Sequence, residues 1–163
     1  MNAPRKILFK AKRKDNGEWV EGYYCNKQST TYCFKEDYES FPVEIEHYII
    51  QETMTDWGLP NKFRLIEIDP TTLSQFTGLY DKNGKRIFEN DIVEVEQFNR
   101  EDNYYDFTAL VGYVHWCGGA FEVLGIETED DEPYVWMHDC IQAGIQVIGN
   151  RFDNPELLEM EEV

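Results

Sequence analysis

Little in this sequence announces a chemistry. Its three serines (Ser29, Ser40, Ser74) stand outside any G-x-S-x-G turn, no H-E-x-x-H occurs, and no glycine-rich dinucleotide fingerprint is present. The four cysteines (Cys25, Cys33, Cys117, Cys140) form no C-x-x-C pair, and a chain of 163 residues with 15% aromatic content can bury a core without disulfide staples, so free thiols are expected. No apolar run approaches the ~20 residues that span a bilayer. The ILF segment after the first basic residues is far shorter than the ~7–15 residues of a signal-peptide h-region. The sequence therefore reads as cytoplasmic, with no membrane partner.

Basic residues are the other shortage. Fifteen Lys and Arg face 32 Asp and Glu, for a formal charge of −17. Six of the fifteen (Arg5, Lys6, Lys10, Lys12, Arg13, Lys14) precede residue 15, where no acid occurs, so the remainder holds 9 against 32, or −23. Such a surface repels nucleic acid and anionic membrane, and it steers basic partners or simply keeps the chain soluble. Direct nucleic-acid binding ranks last, because one basic strand would have to overcome that surplus.

What is present is β pattern. ILFKA (7–11), the Asn16-Gly17 turn and WVEGYY (19–24) predict a hairpin with a primed turn. TTYCF (30–34), HYIIQ (47–51) and FRLIEI (63–68) read as further strands. Ile7, Phe9 and Ala11 share a parity that faces a core, with Lys6, Lys10, Lys12 and Lys14 on the other. Asp69 before Pro70 is an N-cap followed by proline at N1 of a helix of a turn or two. IVEVE (92–96), LVGYVHW (110–116), AFEVLGI (120–126), YVWMH (134–138) and IQVIG (145–149) predict five short strands in a small closed barrel or sandwich. Asn154-Pro155-Glu156 then caps a short helix over LLEM (157–160). The expected organisation is a β-rich region over residues 1–70 and a β domain with a terminal helix over 71–163.

The stretch TGLYDKNGKRIFENDIV (77–93) tests several chemistries and fails them. A phosphate loop needs G-x-x-x-x-G-K-[ST]; here Gly78 and Gly84 are five residues apart and Arg86 follows Lys85. Read as an EF-hand loop from Asp81, it puts Lys85 at a ligand position, Arg86 at the turn glycine and Ile92 at the bidentate glutamate. A tight turn over Asn83-Gly84 and a second over Glu89-Asn90-Asp91 survive.

Weaker candidates remain. HWC (115–117) and HDC (138–140) each place His and Cys two apart, so neighbouring strands could offer His115, Cys117, His138 and Cys140 to zinc, or a Cys-His dyad, although neither pair has structural-site spacing. The loop ETEDDE (127–132), with Glu129, Asp130 and Asp131 at its centre, reads as a solvated tip or a partner contact. Tyr104, Tyr105 and Phe107, in the polar connection 97–107, are candidate partner-binding aromatics.

The run from Thr77 to Val93, the later Val147-Ile148-Gly149-Asn150 and NPELL (154–158) resemble the YopX family of phage and prophage proteins. The opening K-I-L-F-K-A and G-x-W-V-E-G (Gly17 to Gly22) are similar to that family's N-terminal hairpin. Asn90 stands where the family carries glycine, and asparagine is the side chain that best tolerates positive φ. The resemblance implies a mainly β fold: an N-terminal β-hairpin region, then a small SH3-type β-barrel with a short C-terminal helix. It implies no catalytic residue and no cofactor. On it, Thr77, Gly78, Asp81, Asn83, Gly84, Glu89, Asn90, Asp91, Gly149 and Asn150 are a mainly structural signature, with Asp91 accepting backbone hydrogen bonds in the turn it closes. The function expected is a non-catalytic accessory protein that binds a bacterial or phage protein. An acidic nucleic-acid mimic is the first alternative and a zinc-binding protein the second; nothing in the sequence fixes an oligomeric state.

Overall fold

Alternation of side chains at period two organises the first seventy residues. In the computed structural model, which describes residues 6–54, 57–58, 60–98, 105–125, 134–137 and 144–158 (60–61, 96–98, 105–110 and 134–136 by backbone alone), the chain forms two units, Ile7–Ser74 and one that joins Lys6 to the residues from Gln75 onward. In the first unit β1 (Phe9–Lys12), β2 (Trp19–Gln28), β3 (Ile45–Met54) and β4 (Pro60–Glu67) form an antiparallel meander in the order β4-β3-β2-β1. Ala11 lies opposite Val20, Tyr24 opposite Ile49, and Ile49 opposite Ile66. These rows put one face of the sheet into a core of Ala11, Val20, Ile49, Ile66 and Ile68, against which Phe9, Tyr24 and Leu73 pack. Each large aliphatic side chain so buried contributes about 1.5–3 kcal/mol. Ile7, expected to face the core, lies before the strand and is exposed.

The first hairpin forms, but not with a primed turn. Arg13 N–H donates to the Glu18 carbonyl and Gly17 N–H to the Arg13 carbonyl, which leaves a four-residue loop in which Gly17 has positive φ and Asn16 does not. Asn16 Oδ1 instead accepts from Glu18 N–H, and that side-chain turn competes with the left-handed conformation a primed turn requires. The TTYCF segment is not a strand. It precedes a one-and-a-half-turn helix, α1 (Lys35–Ser40), and Tyr38 Oη accepts from Tyr32 N–H, drawing the segment onto the helix. The N-cap at Asp69 is present: its carboxylate accepts from Thr71 N–H at the start of a 3-10 turn over Pro70–Thr72.

The second unit contains β5 (Ser74–Tyr80), β6 (Arg86–Phe88), β7 (Asp91–Phe98), β8 (Tyr105–Cys117), β9 (Ala120–Leu124), β10 (Tyr134–Trp136) and β11 (Ile145–Asn150). β5 and β6 pair as a hairpin; the others form a five-stranded antiparallel sheet in the order β10-β9-β8-β7-β11. One core joins Ile87, Val93, Val95, Val114, Phe121, Val123, Met137, Ile145 and Val147. Among the described residues β10 and β11 are separate edges, so the sheet is open and the expected closed barrel is not formed by them. The terminal helix begins with a 3-10 turn over Pro155–Leu158, before the expected start at Leu157, because asparagine and proline fix its start; residues 159 and 160 of the expected 157–160 lie outside the described residues. No described helix is long and apolar enough to cross a membrane.

Candidate functional site

The signature stretch is occupied with holding turns. Asp81 is 6% exposed; its Oδ1 accepts from the N–H groups of Asn83 and Lys85, both at 2.8 Å, and its Oδ2 from Val147 N–H at 3.1 Å. Burial opposes ionisation of this carboxyl, but the three backbone donors and the Lys85 charge outweigh it and hold the group below its ordinary value. Gly84, at φ +79°, donates to the Asp81 carbonyl and closes the turn. Thr77 Oγ1 donates to the Ile87 carbonyl and accepts from Leu79 N–H. Gly78 has φ +91°, within the register shift between Phe76 and Tyr80.

The second turn behaves in the same way. Glu89 N–H donates to the Gln75 carbonyl, Asn90 N–H to the Val114 carbonyl, and Asn90 has φ 64°, the conformation anticipated for it. The Asp91 carboxylate, 1% exposed, accepts from Phe88 N–H at 2.9 Å. A Cβ on Gly149 would lie 2.8 Å from Asn154 Oδ1 and 3.0 Å from Leu157 Cδ1, so a larger residue there would require the Asn154 and Leu157 side chains to shift. Asn150 Oδ1 accepts from Phe152 N–H and Asp153 N–H. Because positive φ is strained for a β-branched residue, Asn90→Val is expected to lose about 1–3 kcal/mol in urea unfolding. Asn90→Gly is expected to keep most of that stability; equal losses in the two variants would show that conformation is not the reason for asparagine.

The proposed zinc set is only partly within reach. His115 is half-buried beside the Tyr113 ring, over which the Arg151 guanidinium lies 4.0 Å from the centroid, and Cys117 is an exposed free thiol at the end of β8. His138 and Cys140 lie outside the described residues, and no group of three metal-ligating side chains occurs among those described. Tyr104, Glu129, Asp130 and Asp131 also lie outside them, while Tyr105 and Phe107 are placed by backbone in β8.

A different surface emerges on the first unit. The face of the meander opposite its core carries the cross-strand row Tyr23, Ile50 and Leu65, with Phe63 next along β4 opposite Glu52. Leu65 is 53% exposed, Phe63 67%, Met54 70% and Trp57, in the β3–β4 connection, 89%. On the same face Lys10 Nζ lies 5.0 Å above the Trp19 ring and Lys12 Nζ 5.6 Å. Sequence reasoning missed this surface because FRLIEI carries apolar residues at both parities, and alternation cannot reveal which face is covered. A tryptophan before glycine between two strands was the available signal.

Charge is divided unevenly along the chain. Ile7–Ser74 holds 8 basic against 12 acidic residues, or −4, whereas residues 75–163 hold 5 against 20, or −15.

Among protein families, the model described as YopX protein matches residues 8–159. Among solved structures, a crystal structure of protein EF1440 from Enterococcus faecalis is similar, with 24% sequence identity over 96% of this chain and 100% of that chain and a TM-score of 0.48. No curated protein matches the sequence.

Proposed function

We propose that the chain, which belongs to the YopX family, is a non-catalytic, cytoplasmic, phage-derived accessory protein that works by binding another protein. The observation that carries this reading is the apolar row on the open face of the meander, Tyr23, Ile50 and Leu65 with Phe63 beside it. Exposed large apolar side chains grouped on a rigid sheet are what a partner buries. The signature residues support the reading indirectly, since the side chains of Thr77, Asp81, Asp91 and Asn150 are engaged by the backbone. In the same proposal the second unit is an open relative of an SH3-type barrel, a form favoured by the single core that β6, β7, β8, β9 and β11 share.

The test is capture from a nuclease-treated bacterial lysate, comparing the intact chain with a Tyr23→Ser, Ile50→Ser, Leu65→Ser variant and eluting with rising salt. A partner that withstands high salt on the intact chain and is absent from the variant is the expected result. Identical recovery by both chains would sink the reading. The −15 charge beyond Ser74 favours one second reading, an acidic nucleic-acid mimic. It requires basic nucleic-acid-binding partners that leave at modest salt and are indifferent to the triple variant.

A further inference from the structure

We infer that the free edge of β4 accepts an extended segment of the partner as an added strand, and that this segment alternates apolar and acidic residues; the inference rests on the protein-binding reading above. The backbone directions along β4 are set by a few bonds. Ile68 N–H donates to the His47 carbonyl at 3.0 Å, and Thr53 Oγ1 donates to the Lys62 carbonyl at 3.2 Å, so the even-numbered positions turn their backbone groups toward β3. The Glu67 carbonyl accepts from Lys14 N–H at 3.0 Å on the opposite side. By the alternation of an antiparallel ladder, the N–H and C=O groups of Phe63 and Leu65 point away from β3. On that side the bridge between Arg13 and Ile68 reaches only the Glu67 end of β4, and no strand among the described residues pairs with it along Lys62 to Leu65. That is the geometry of β-strand addition, in which main-chain bonds supply affinity and alternate side chains supply selection.

The side chains state the chemistry of the occupant. Phe63 and Leu65 lie on one face, Lys62 and Arg64 on the other, and all four are exposed. Neither Lys62 nor Arg64 makes an ion pair with a described residue. Residues directly opposite across strands point to the same face, so an added strand places its apolar side chains against Phe63 and Leu65 and its others against the two cations. Carboxylates are the complement there. The same cations oppose a second copy of this chain: in a two-fold antiparallel pairing of β4 with itself about Phe63, Lys62 would face Arg64 of the other copy. Basic residues and proline on an edge guard it against self-association, and Pro60 at the start of β4 fits that pattern.

The experiment is amide hydrogen exchange of the full chain with a short acetylated peptide of alternating valine and glutamate, beside its counterpart with lysine for glutamate. Expected is slowing of exchange at Phe63 and Leu65 by about tenfold or more with the glutamate peptide alone. Lys62→Glu with Arg64→Glu is expected to transfer the effect to the lysine peptide. Leu65→Pro, which removes an outward N–H without removing a bond to β3, is expected to abolish it. No slowing at saturating peptide, equal slowing by both peptides, or slowing that grows with protein concentration in the absence of peptide (a second copy in the edge) would each overturn the inference. Should a natural partner bind the Leu65→Pro chain undiminished yet fail on the Tyr23→Ser, Ile50→Ser, Leu65→Ser chain, protein binding stands and strand addition falls.

Discussion

Asp81→Ala is expected to lower the stability of the chain by about 2–4 kcal/mol, a substantial part of the ~5–15 kcal/mol that holds a typical domain together. The carboxylate serves two donors in its own exposed turn and a third in β11, and alanine leaves the buried Val147 N–H without an acceptor while the Asn83 and Lys85 N–H groups turn to water. Hydrogen bonds to a charged group contribute about 1.5–3 kcal/mol each, less when they share one acceptor. Asp81→Asn should cost clearly less, because Oδ1 can still receive Asn83 and Lys85 while the amide nitrogen meets Val147 N–H donor to donor. Urea midpoints for the two variants decide the matter, and an alanine variant that unfolds where the native chain does would refute the role. The same carboxylate sets an acid limit. Its folded value lies below the unfolded value of about 3.9, so the contribution is complete above that pH and is lost as pH falls through the folded value. Stability between pH 5 and pH 2 should therefore fall less steeply in Asp81→Asn than in the native chain.

Gly22→Ala should remove about 3 kcal/mol, seen as a fall of about 6–12 °C in the melting temperature. The glycine has no unusual φ; what it supplies is space. An added Cβ would collide with the Ile50 carbonyl oxygen and stand 2.8 Å from Ile49 Cγ2. Gly22 is the position at which β2 passes from pairing with β1 to pairing with β3, since Phe9 lies opposite Gly22 and Ile50 opposite Tyr23. Because the first obstacle is main chain, trimming Ile49 in the same molecule should give no rescue. A double variant as stable as the Ile49 single variant would contradict this.

Local chemistry made part of this structure readable in advance. Asn90 could be assigned positive φ because few residues besides glycine tolerate it, and Asp91 could be assigned backbone donors because it closes the turn over Glu89 and Asn90. The strands of both units could be read from β-branched and aromatic runs between turn residues. Readings failed where a side chain chose between two local options. Asn16 bonds Glu18 N–H rather than taking the left-handed conformation, and Tyr38 captures the TTYCF segment that propensity alone would extend. Contacts distant in sequence were beyond reach altogether. Nothing near Asp81 indicates that its third donor is Val147, and nothing in FRLIEI indicates that Phe63 and Leu65 face away from the core. The zinc and aromatic-loop candidates fall largely outside the described residues.

The tie between Asp81 and β11 bears on how the polypeptide is made. Within the first unit each strand of the meander pairs with its immediate successor, so each finds that neighbour soon after it leaves the ribosome. In the second unit β7 lies between β8 and β11, and Asp81 lacks its third donor until Val147 has been synthesised. Closing so long a loop carries an entropic cost that short hairpins avoid. The acidic half of the molecule is therefore completed only when its last strand emerges, and until then Val93 and Val95 have one neighbour where the finished sheet gives them two.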